Sequence, residues 1–159
     1  MPLRRGFLQL LVICIAFAAC KHSDPVPPGD IAVTLTASPL GEKAFDPATI
    51  KGKPCLVMFV TPTCPHCLAT IPRGIAAAQA EGANLVAVFV AGNKQNAEGV
   101  VSHLRFPGTA LVDDGTLRRL YNIRGVPYSL VLGADGHART ALRGEQEEST
   151  LREALADAR

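Results

Sequence analysis

The chain has no second Cys-x-x-Cys pair, no tryptophan, no internal repeat, and no apolar run of the ~20 residues that a membrane-spanning helix needs. Some of these absences exclude a class of function. A structural zinc site takes four ligands, and His22, His103 and His137 are scattered, so one cysteine pair is half a site and zinc or copper binding is a minor alternative. Covalent haem attachment requires histidine directly after the second cysteine, where Leu68 stands. Charge of one sign is also lacking: 16 Lys and Arg face 14 Asp and Glu. The excess comes from Arg4 and Arg5, in a segment expected to be cleaved, so the mature charge is zero and nothing favours nucleic acid. The absence of tryptophan decides nothing about function by itself. At 159 residues and 48% hydrophobic, the chain suits one domain with a real core and is short for two.

Residues 1–19 read as an export signal, with basic Arg4 and Arg5 followed by an apolar run from Phe7 to Ala19. The run ends in Phe17-Ala18-Ala19-Cys20, which resembles the bacterial lipobox, where a peptidase cuts before a cysteine that carries lipid. Phe17 stands where leucine is usual. Cleavage after an Ala-x-Ala-like site and retention as an anchor helix are the alternatives, and all three export the domain. Residues 20–30 then read as a lipidated Cys20 and a flexible tether, polar and rich in proline (Pro25, Pro27, Pro28). The folded domain is expected over 31–159, facing the periplasm or extracytoplasmic space. Of five cysteines, Cys14 leaves with the signal, Cys20 is acylated, Cys64 and Cys67 pair with each other, and Cys55 is left as a buried, inert thiol.

Apolar periodicity supplies the element order. Ile31, Val33 and Leu35 alternate as in a half-buried strand, and Asp46-Pro47-Ala48-Thr49 reads as a turn or single helical turn. Near-continuous apolar runs at 55–60 and 85–90 read as buried strands, joined by a helix carrying Leu68, Ile71, Ile75 and Ala78, interrupted by Pro72 and capped by Gly82. That is a βαβ unit with parallel strands. Weaker helical signals follow at 94–104 and 116–121, a short strand at 109–112, a hairpin across Ala134-Asp135-Gly136, and a closing helix with a Leu151, Ala154, Leu155, Ala158 stripe. The sum is an α/β fold with a central mixed sheet flanked by helices.

The stretch Thr61-Pro62-Thr63-Cys64-Pro65-His66-Cys67 lies where the first buried strand stops and the helix starts. A thiolate there meets the unsatisfied N–H groups and positive dipole end of a helix, which can lower a cysteine pKa from about 8.5 to roughly 3.5–7.5. Cys64 is expected to be the exposed attacking thiol and Cys67 the buried one that resolves the mixed disulfide. Pro65 suits the first helical turn. His66, when protonated, would place positive charge beside the thiolate and make the disulfide more oxidising.

Gly52-Lys53-Pro54, the Cys64 to Cys67 pair, Pro72, and Arg124-Gly125-Val126-Pro127-Tyr128 together resemble the thioredoxin superfamily, particularly its membrane-tethered bacterial members of the TlpA and ResA type. The resemblance covers roughly residues 40–145. It implies a thioredoxin-like fold and thiol–disulfide exchange with cysteines of other exported proteins, using no cofactor beyond the dithiol. It also implies a redox-recycling membrane partner, a lipid-anchored monomer, and a cis Pro127 facing the disulfide, with Val126 presenting its backbone to an extended substrate. Three departures stand out. Tryptophan is absent near Val60 and at Thr63. Met58 occupies the position of thioredoxin's buried aspartate. Cys-Pro-His-Cys is the dipeptide arrangement of the oxidase DsbA, yet the span from Cys67 to Pro127 leaves no room for that family's helical insertion. A peroxiredoxin-like peroxidase is the enzyme alternative: Thr61 matches that motif, but Val57 stands where proline belongs.

Overall fold

The computed structural model describes residues 24–41 and 44–159. The signal, Cys14 and Cys20 lie outside the described residues. A six-stranded mixed sheet is ordered β1-β4-β3-β2-β5-β6, with β1 Ser38–Pro39, β2 Cys55–Val60, β3 Asn84–Phe89, β4 Thr109–Val112, β5 Tyr128–Leu132 and β6 Ala138–Arg143. Strands β2, β3 and β4 run parallel, while β5 pairs antiparallel with β2 and with β6. The helices are α1 Ile31–Thr34, α2 Pro65–Glu81, α3 Lys94–His103, α4 Thr116–Leu120 and α5 Glu148–Asp157.

Strand β2 sits at the centre and is buried along its whole length, which is why its sequence shows no polar alternation. Its side chains divide between two cores. Cys55, Val57 and Phe59 pack with Ile31, Leu35, Leu117 and Tyr121 on one face. Leu56, Met58 and Val60 pack with Cys67, Ile71, Leu151 and Leu155 on the other, under α2 and α5. Helix α2 comes very close to β2: a Cβ on Gly74 would lie 2.5 Å from Met58 Sδ and 3.3 Å from Leu56 Cδ2. Its C-terminus turns out through Gly82, whose φ of 60° is left-handed and suited to glycine.

Two expectations are corrected. Residues 31–34 form a helical turn rather than a strand: Asp30 Oδ1 accepts the Val33 N–H as an N-cap, Ile31 and Leu35 are buried, and Val33 is exposed. The described part of the tether is not a free spacer either. Asp24 pairs its backbone with Ala141 of the edge strand β6 and its carboxylate with Arg143, while Asp30 bridges to His137 and pairs with Lys51. The segment thereby covers a sheet edge that would otherwise be unpaired.

Candidate active site

Strand β2 ends at Val60 and α2 starts at Pro65, so the intervening loop puts Cys64 at the N-cap of a 17-residue helix. Cys64 has extended backbone (φ −85°, ψ 118°) and Pro65 occupies the first helical turn, where its missing N–H costs nothing. Cys64 is partly exposed; Cys67, one turn on, is wholly buried. Both are free thiols, as is Cys55.

The two thiols are held in opposite electrostatic states. Desolvation pushes the Cys64 thiol up, but the Cys67 N–H and thiol and the His66 N–H, all directed at its sulfur, outweigh it and hold the pKa below the ordinary value. Burial pushes Cys67 up to about 12, against the opposing Thr61 N–H, which reaches its Sγ at 3.5 Å. Cys55 is also raised to about 12 by burial. It packs in the opposite core from Cys67, at the far end of β2 from the motif.

The Val126–Pro127 bond is cis and Pro127 is buried. Val126, like Cys64, packs against the core that contains Cys67. The Pro127 carbonyl accepts the Gly144 N–H at 2.8 Å, which ties this loop to the turn between β6 and α5. That turn brings a group with no local sequence signal to the motif. Glu145 Oε2 lies 2.7 Å from His66 Nδ1, and its Oε1 accepts from Arg73 at 2.8 Å. His66, expected to face the thiolate with its charge, is therefore engaged by a carboxylate. Thr63, with Pro62, Leu68, Val100 and Leu104 among others, lines a groove of about 640 Å³.

Met58 is fully buried and sits across from Ser129 of β5, whose hydroxyl is buried without a hydrogen-bond partner. No carboxylate occupies this position under α2. Among the described residues, no group of three or more His, Cys, Asp or Glu is placed to hold a metal, and no helix is long and apolar enough to cross a membrane.

Residues 41–159 match the family described as the thioredoxin-like domain. The chain belongs to that family. Its six-stranded mixed sheet and flanking helices are the thioredoxin-like fold that the resemblance implied. Among curated proteins, it is 27% identical over 133 residues to the soluble secreted antigen MPT53 of Mycobacterium tuberculosis, covering 82% of this chain and 77% of that protein. Among solved structures, a secreted M. tuberculosis disulfide oxidoreductase homologous to E. coli DsbE superposes with a TM-score of 0.71 at 28% identity, covering 81% of this chain and 99% of the other. A thioredoxin-family thiol:disulfide interchange protein from Chlorobium tepidum gives 0.69 at 21% identity, covering 86% and 97%. At that identity the likeness is one of fold.

Proposed function

We propose that this thioredoxin-like protein exchanges disulfides with cysteine-containing proteins outside the cytoplasm, through Cys64 and Cys67. It is a thiol–disulfide oxidoreductase by family. The observation that carries the reading is the asymmetry of the pair: an accessible thiol of lowered pKa at a helix N-cap, and a buried thiol of raised pKa one turn later.

In the reducing direction, Cys64 thiolate attacks a client disulfide. A bond forms between Cys64 Sγ and one client sulfur, and the other client sulfur leaves as a thiolate that takes up a proton. Cys67 then gives up its proton and attacks Cys64 Sγ, releasing the second client thiolate. The client gains two electrons and the protein becomes a Cys64–Cys67 disulfide. The oxidising direction is the reverse. The raised pKa of Cys67 keeps its thiol protonated in the reduced protein, so Cys64 is the sulfur that attacks the client. Pro127 offers no N–H to compete for the sulfurs, and Val126 supplies backbone for an extended client segment.

Within this proposal the protein is held at the membrane by lipid on Cys20, acts as a monomer and is recycled by a membrane redox partner. Turnover of a model protein disulfide by the soluble domain tests the chemistry: Cys64→Ser abolishes it, and Cys67→Ser accumulates a mixed disulfide at residue 64. Retained turnover in Cys64→Ser overturns the assignment. Cys20→Ser in the full chain moves the protein from the membrane fraction to the soluble one; unchanged partitioning overturns the anchor.

A further inference from the structure

The histidine between the cysteines would, when protonated, favour the Cys64 thiolate, and the structure sets a carboxylate against it. His66 is 71% exposed, yet its Nδ1 is not left to solvent: it lies 2.7 Å from Glu145 Oε2. The carboxylate is itself fixed from behind by Arg73, which also reaches Glu147 at 3.3 Å. The turn bearing Glu145 is anchored to the cis-proline loop by the Gly144 N–H on the Pro127 carbonyl. Glu145 thus belongs to a fixed frame on the rim of the cysteine pair, 79 residues from His66 in sequence.

We propose that Glu145 is a positioning residue that sets the redox poise of the Cys64/Cys67 pair, by holding His66 and cancelling the positive charge that imidazole would otherwise lend the Cys64 thiolate. This rests on the exchange reading above and deepens it. The charged and titratable groups around the imidazole are Cys64, Cys67 and Arg73 from its own helix, and Glu145 and Glu147 from the turn before α5. The negative charge of Glu145 also reaches Cys64 directly and opposes its ionisation. Both routes have the same sign: the carboxylate makes the thiolate less favourable, so the dithiol form is less stabilised and the disulfide is a weaker oxidant. A Cys-Pro-His-Cys sequence is in this way held back from the oxidising extreme that its dipeptide alone would give.

The couple to be measured is protein disulfide plus two glutathione going to protein dithiol plus glutathione disulfide. The test is a double-mutant cycle over Glu145→Gln and His66→Gln in the soluble domain, read by this equilibrium and by ultraviolet titration of the Cys64 thiolate in a Cys67→Ala background. The expected result is that Glu145→Gln lowers the Cys64 titration midpoint and shifts the equilibrium towards dithiol by about threefold or more at pH 6, which is about 14 mV for a two-electron couple. His66→Gln with Glu145 in place raises the midpoint, because it leaves the carboxylate charge uncompensated beside the thiolate, and the double variant returns towards the parent. A merely structural tie would alter thermal stability and leave the Cys64 midpoint and the glutathione equilibrium unchanged. A Glu145→Gln variant that titrates and equilibrates like the parent, or a His66→Gln variant whose midpoint does not rise, overturns the proposal. The thiolate titration needs no exchange partner. Failure of the parent to equilibrate with glutathione would therefore count against the exchange reading alone, and the cycle would still report on Glu145.

Discussion

Alkylation at pH 7 turns the difference between the two helix thiols into a rate. Free cysteine, with a pKa of about 8.5, is about 3% thiolate at pH 7. Cys64 is held below its ordinary value and carries a larger thiolate fraction than an unperturbed cysteine. Cys67, pushed up to about 12, is ionised in about one molecule in 10⁵. The ratio of thiolate populations is therefore at least about three thousand. A more basic thiolate is intrinsically a better nucleophile, with a Brønsted coefficient of about 0.4–0.5, which gives back about fortyfold. About a hundredfold remains before access is considered, and complete burial of Cys67 enlarges it. The assay is timed iodoacetamide labelling of the reduced protein, quenched and mapped by peptide mass spectrometry, with free cysteine as the reference. Cys64 should be consumed faster than the reference and Cys67 and Cys55 at least about a hundredfold more slowly than Cys64. Comparable labelling of Cys64 and Cys67 would refute the reasoning, because it would mean that burial does not hold the second proton.

The two buried thiols also imply alkaline sensitivity. Cys55 and Cys67 are raised to about 12 in the folded chain, above the unfolded value of about 8.5, so the native state retains protons that the unfolded state loses. The contribution of these two thiols to the stability of the reduced protein should be constant below about pH 8 and fall as pH rises from there towards 12, by at most about 1.4 kcal/mol per pH unit for each thiol; urea midpoints above about pH 9, where Cys64 is ionised in both states, read it, and a flat profile there contradicts it. Gly74→Ala should destabilise by about 1 kcal/mol, because overpacking costs about 1–3 kcal/mol and helix propensity returns up to about 1. The new Cβ meets a fully buried Met58 that has little room to yield, and a variant stabilised like one at an exposed helical site would disprove that close approach. Ser129→Ala should be neutral or stabilising by up to about 2 kcal/mol, since it removes a desolvated hydroxyl that recovers no hydrogen bond; a loss of more than about 1 kcal/mol in denaturation midpoint terms would show that the hydroxyl has a partner.

The legible parts of the chain were those whose information is local. Runs of buried β-branched and aromatic residues announced β2 and β3, the Gly82 stop closed α2, and Ala134-Asp135-Gly136 joined β5 to β6. Cysteine spacing at a strand-to-helix junction located the candidate site without any tertiary information. The misread segment shows the limit of periodicity. Ile31, Val33 and Leu35 alternate, but positions 31 and 35 are also one helical turn apart, and the Asp30 cap decided between the two readings. β1 is two residues long and had no period to detect.

Residue type and spacing alone determined that a thiol would sit at a helix N-terminus with a second thiol one turn later, because those relations span a few residues of backbone. Only the tertiary structure decided which charges surround that thiol. Glu145 reaches His66 because the turn between β6 and α5 lies beside the start of α2, and Asp24 meets Arg143 of β6 while Asp30 meets Lys51. Electrostatic pairing depends on distance in space, and the fold brings together residues that no sequence interval marks as neighbours.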